Sequence, residues 1–179
     1  MPRFAVLVLT LFLTLVPAAS ATVFSGSGTD PAGDGPAAGQ DIVGVEASYD
    51  DAGSVTASLT LAGEPDPMFF YLQVGTRSGT TCGPPFAALG GNTDGTAGVW
   101  GLNGDSAGDF ATDAVVSRAG PKVTITASGS RLAGGAPDCV TGSIAPKATP
   151  ADPSPAAVDL VDTPAALAAP PAPPAPTPP

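Results

Sequence analysis

Histidine is missing from all 179 residues, and basic side chains are scarce: six lysines and arginines stand against sixteen aspartates and glutamates. The first absence removes the usual general base of serine and cysteine hydrolases and a common metal ligand. The second, a formal charge of −10, repels phosphate backbones and anionic headgroups, so nucleic-acid binding is set aside. Helix formers are sparse too, with two glutamates (Glu46, Glu64), two glutamines and two lysines in the whole chain. No twelve-residue window after residue 21 carries a helical stripe. Long apolar runs are absent except at the start.

That start is Met1-Pro2-Arg3, then residues 4–16, apolar except for Thr10 and Thr14, then Pro17 and the small-residue triplet Ala19-Ser20-Ala21. Thirteen residues are too few to cross a bilayer as a helix, which needs about 20. A charged beginning, a short apolar run and an A-x-A triplet make a secretory signal peptide over 1–21, with Thr22 as the first mature residue. We therefore expect an exported protein on the general secretion route, extracellular or associated with the cell envelope, with no transmembrane anchor after signal removal. Two cysteines, Cys82 and Cys139, in an oxidising compartment are expected to form one disulfide.

At the other end, residues 146–179 hold twelve prolines among 34 residues. We expect a disordered Pro/Ala-rich tail from 148 to 179, extended in polyproline II fashion and serving as a solvated tail, a stalk or a ligand for a proline-reading domain. What lies between, 22–147, has the size of one domain.

Its pattern has period two. Val43, Val45, Ala47 and Tyr49 alternate with Ile42, Gly44, Glu46 and Ser48; after the turn formers Asp50-Asp51-Ala52-Gly53, Val55, Ala57, Leu59 and Leu61 alternate with Ser54, Thr56, Ser58 and Thr60. Residues 68–74 are apolar on both sides, as in a central strand. A late hairpin spans 114–127, and shorter strands are expected over 97–102 and 140–144. The expected fold is all-β: an antiparallel β-sandwich, immunoglobulin-like or jelly-roll-like, with one disulfide and the disordered C-terminal tail.

The most individual segment is Gly28-Thr29-Asp30-Pro31-Ala32-Gly33-Asp34-Gly35-Pro36, followed by Gln40-Asp41-Ile42. Three carboxylates on a bendable loop ahead of a strand suit Ca²⁺, which gathers six to eight hard oxygens. The bland alternative is Asx turns and solubilising charge. The segment resembles the opening of secreted DOMON-like and family-9-like carbohydrate-binding β-sandwiches, over about twenty residues plus the strand rhythm. That resemblance implies a calcium near the loop and a sugar or, in some branches, haem as ligand; axial haem ligation is disfavoured here by the absence of histidine. Asp30, Asp34 and Asp41 are thus the candidate metal ligands, and Tyr71 and Trp100, the aromatics with polar handles, the candidate ligand-binding residues.

Other motifs carry less. Asn103, Asp105, Asp109 and Asp113 form a second acidic loop without EF-hand order. Gly104-Asp105-Ser106-Ala107-Gly108 matches G-x-S-x-G, yet no histidine exists to activate Ser106. A carboxylate-pair hydrolase would have to use Glu46, on an outward strand face, or Glu64, in a turn. No catalytic residue is assigned. The expectation is a non-catalytic binding or envelope-associated module with a glycan or envelope component as partner, the alternative a purely structural or adhesive surface protein with a proline-rich stalk.

Overall fold

Alternating aliphatic and hydroxyl side chains give each strand one dry face and one wet face, and two such sheets bury their dry faces together. The computed structural model describes residues 21–93, 95–102, 114–147 and 155–171. The strands are β1 (Val23–Thr29), β2 (Ile42–Asp50), β3 (Ser54–Leu61), β4 (Met68–Ser78), β5 (Thr81–Asn92), β6 (Ala97–Leu102), β7 (Val115–Ala119), β8 (Lys122–Ser128), β9 (Cys139–Pro146), β10 (Asp159–Leu160) and β11 (Ala165–Ala166). One antiparallel sheet runs β1-β2-β3-β8-β7, the other β10-β9-β4-β5-β6, with β11 also on β9. The only helical pieces among the described residues are two single 3-10 turns, Ala38–Gln40 and Ser130–Leu132. The protein is an antiparallel β-sandwich.

The β2–β3 hairpin forms where Asp50-Asp51-Ala52-Gly53 turns the chain: the Asp50 carboxylate accepts the Ala52 amide at 2.7 Å and its carbonyl the Gly53 amide at 2.9 Å. Val55, Ala57, Leu59 and Leu61 all lie in the core, as the alternation requires. On β2 the phase differs from expectation at one end. Val45, Ala47 and Tyr49 face inward, but so does Ile42, while Val43 is only half-buried, because a bulge between Ile42 and Gly44 inserts an extra residue into the ladder. Phe70, Leu72 and Val74 of the central strand β4 complete the interior from the other sheet. Burying one such side chain contributes about 1.5–3 kcal/mol.

Cys82 and Cys139 are bonded, their Cα atoms 5.8 Å apart, linking β5 to β9 at the end where the β4–β5 ladder is irregular. Closing a loop of this length, with the two residues 57 apart, stabilises by about 4 kcal/mol in the chain-entropy account.

The expectation of a disordered tail does not hold for residues 155–171. They run as a strap along the open side of the sandwich, pairing with β9 through β10 and β11 and bridging to β1 through Ser25 and Ala168. Val161, Ala165 and Leu167 are core residues, the apolar anchors that composition alone hid among prolines. The sequence of β1 is cut for this contact. A Cβ on Gly26 would sit 1.8 Å from the Ala166 carbonyl oxygen, so only glycine lets the strap's backbone pass. The folded domain therefore extends to at least residue 171.

Tyr49 shows how a polar tip is accommodated in the core. It is fully buried; its hydroxyl donates to the Leu132 carbonyl at 2.6 Å and accepts the Gly135 amide at 2.8 Å, and its ring meets Phe86 edge-on at 5.0 Å. Tyr49→Phe leaves both backbone groups without this partner, and we expect a loss of about 1–3 kcal/mol in urea unfolding. An unchanged unfolding midpoint would show that water replaces the hydroxyl at no cost.

Candidate functional site

The acidic loop leaves β1 at Thr29 and returns at Asp41, ahead of β2, on the side of the sandwich where the strap crosses. Gly33, at φ +96°, makes the bend. Asp41 is the organiser of that loop: its two carboxylate oxygens accept the Gly33 amide at 2.9 Å and the Gly35 amide at 3.3 Å. With both oxygens so used and only 4% exposure, Asp41 holds the loop's shape.

Asp30 and Asp34 converge instead with Asp159, the first residue of β10. One carboxylate oxygen from each of the three lies within 4.8 Å of the others. Asp159 thus takes the place expected for Asp41. Asp30 is 7% exposed and Asp159 8%, while Asp34 stands at the solvent edge. Asp159 accepts the Ile42 amide at 2.5 Å through Oδ2 and the Leu160 amide at 2.8 Å through Oδ1. Asp30 Oδ1 accepts the Asp162 amide at 2.8 Å. Asp30 Oδ2 is buried with no hydrogen-bond partner among the described residues. Such an orphan is costly, because a desolvated acceptor forfeits its water without replacement.

Electrostatics sharpen the point. Burial pushes the Asp30 carboxyl above its usual range, the Asp162 amide pulls it back, and the charges of Asp162, Asp34 and Asp159 push it up further. Asp34 is raised as well: desolvation pushes it up, a hydrogen bond to its own backbone partly offsets this, and Asp159, hydrogen bonding with Asp41 and Asp162 push it up further. Every charge named here is another aspartate. Glu64 pairs with Arg118 at 3.1 Å and Glu46 with Lys122, none of them a member of this cluster.

The donor set fits calcium: hard carboxylate oxygens, one buried and unsatisfied, on a loop shaped by glycine, with no histidine in the chain and both cysteines locked in the disulfide. Sequence reasoning found two of the three carboxylates. It missed Asp159 because that residue sits in a stretch dismissed as disordered; the signal was there in Val158, Leu160, Val161 and Leu167, apolar residues flanking two aspartates among the prolines.

The other candidates fall differently. Tyr71 lies half-buried on β4, paired with Gly90 and Ser143, and burial pushes its phenol up. It is two strands in from β10, apart from the acidic loop. Trp100 belongs to β6, but its side chain lies outside the described residues, as do the second acidic loop (Asn103, Asp105, Asp109, Asp113), the G-x-S-x-G segment and residues 1–20, where a signal peptide is expected.

These features define a disulfide-linked antiparallel sandwich with an acidic joint between its two sheets. No family profile matches the chain, and no curated protein or solved structure proved similar to it.

With Asp30 and Asp34 raised above 3.8, the folded state without metal holds protons more tightly than the unfolded chain. Their contribution to stability is complete below that value and is lost as pH rises through the folded values. In chelator, the melting temperature should therefore fall as pH rises above about 4 toward neutrality, and Asp30→Asn should flatten that fall. A chelator-treated protein whose melting temperature climbs steadily from pH 4 to 7, in both forms, would contradict the assignment.

Proposed function

We propose that this chain is exported and acts outside the cytoplasm as a non-catalytic β-sandwich binding module whose closed form is held by calcium at Asp30, Asp34 and Asp159. The observation that carries the reading is that Asp30, one of three clustered carboxylates, keeps a buried Oδ2 with no hydrogen-bond partner among the described residues. A divalent cation satisfies that oxygen and cancels the repulsion at once. The leader-like sequence of residues 1–21 and the disulfide support an oxidising destination.

The surface offered to a partner is the outer face of the five-stranded sheet. Ser25, Ser48, Thr56 and Thr126 form one cross-strand row; Ser27, Glu46, Thr124 and Ser117 form the next, on either side of the buried Ser58. Ser58 and Thr124 are hydrogen-bonded at 2.9 Å, and a shallow groove opens over Ser25, Ser27, Glu46, Ser48 and Thr56. A hydroxyl-rich sheet of this kind suits a glycan or other polar envelope component. The second reading, a structural or adhesive surface protein, gains from the exposed large hydrophobics: among the described residues these are Val23, Val115 and Leu160, none of them aromatic. A carboxylate-pair hydrolase draws the least support, since Glu46 and Glu64 are each tied to a basic residue and Asp30 and Asp159 are buried rather than facing a cleft.

Thermal melts of the purified protein at pH 7 test the cation directly. At calcium a hundredfold above its dissociation constant, binding stabilises by about 2.7 kcal/mol, which raises the melting temperature by about 5–10 °C, and chelator reverses it. Asp30→Asn should abolish the calcium increment while raising the melting temperature in chelator, because its amide both removes a charge and donates toward the neighbouring carboxylates. Identical melts with calcium and chelator, and a destabilised Asp30→Asn, would overturn the reading.

A further inference from the structure

We infer that the cation site is the lock of a C-terminal clasp: cation binding at Asp30, Asp34 and Asp159 governs whether the strap of residues 155–171 is docked between β1 and β9. This rests on the cation reading above and adds its regulation.

The strap supplies one of the three carboxylates and is seated by contacts at two distinct ends. At the acidic end, Val158 and Val161 donate their amides to Ile144 and Gly142 of β9, Asp159 accepts from Ile42, and the Asp162 amide binds Asp30. At the far end, the Arg77 guanidinium donates to the Pro164 carbonyl at 2.8 Å, Leu167 donates its amide to Asp138, and Ser25 and Ala168 exchange both backbone bonds. Only two short ladders of two residues hold it to β9. Such pairing is marginal by itself.

Docking also brings Asp159 and Asp162 up to Asp30 and Asp34, so the strap closes against like charge. The ion removes that opposition. Because the ion needs Asp159, and Asp159 reaches the site only when the strap is seated, binding and docking are reciprocally linked: whatever factor the ion adds to docking, docking adds to ion affinity. When the strap leaves, the seam between β1 and β9 opens and the core seats of Val161, Ala165 and Leu167 are uncovered. The exposed sheet edges are then available for pairing.

Two measurements on the purified protein separate this from the parent reading. Calorimetry with calcium alone reports binding, and amide hydrogen exchange in calcium and in chelator reports the strap. We expect calcium to bind, and to slow exchange at Val161, Asp162, Leu167 and Ala168 at least about tenfold more than in β3 and β8. Calcium that binds while the strap amides exchange unchanged, or that slows every strand equally, overturns the clasp and leaves the cation site standing. Absence of any binding heat together with calcium-indifferent exchange removes both.

Two variants far from the carboxylates read the linkage from the other side. Gly26→Val blocks the passage of the strap, and Leu167→Ala removes its anchor at the opposite end of β9 from Asp159. Each should weaken calcium binding by about tenfold although neither residue offers the ion a ligand. Should Gly26→Val fail to fold, Leu167→Ala carries the test. Wild-type calcium affinity in a folded Leu167→Ala protein would contradict the clasp.

Discussion

An ionisable oxygen with no partner, held where two sheets meet, is the constraint around which this molecule is arranged. Asp30 directly follows the edge strand of one sheet, Asp159 begins the edge strand of the other, and both are more than nine-tenths buried. Burial of a carboxylate is tolerated only when something answers its charge. Backbone amides answer part of it: Asp162 and Ile42 each donate to one of the pair. Asp30 Oδ2 stays unanswered among the described residues, which is why we propose a cation seat there in place of a hydrogen-bonded staple.

The rest of the fold makes that joint possible. β1 alternates serine outward with glycine inward, and the missing side chain at Gly26 gives the strap its track. Asp41 spends both oxygens on loop amides, freezing the turn that presents Asp34. The disulfide ties β9, the strand on which the strap rests, to β5, so the platform is fixed while the strap's ladders to it are only two residues long. A rigid platform and a weakly paired cover are the conditions under which a single ion can decide the state of the cover.

Much of the sandwich was legible because its strands obey period two. The hairpin of β2 and β3, the central strand β4, the late hairpin of β7 and β8, and the pairing of Cys82 with Cys139 all follow from alternation, turn residues and cysteine count. β5 was not legible: Gly83-Pro84-Pro85 and Gly90-Gly91 are poor strand formers, and the strand exists because β4 and β6 flank it. The bulge at Ile42 and Gly44 was hidden for a related reason, since an inserted residue breaks the alternation from which inside and outside are read. The candidate site was half visible. Asp30 and Asp34 announce themselves on a glycine-rich loop, whereas Asp159 lies 129 residues from Asp30 in a proline-rich context where composition argues for disorder, and tertiary packing overrides it.

The most direct measurement of the central claim is anomalous diffraction from crystals grown in calcium. The account predicts one strong peak with carboxylate oxygens of Asp30, Asp34 and Asp159 at about 2.3–2.6 Å, including Oδ2 of Asp30. A peak held by Asp41 in place of Asp159, or no peak at all between these three side chains at saturating calcium, would contradict it.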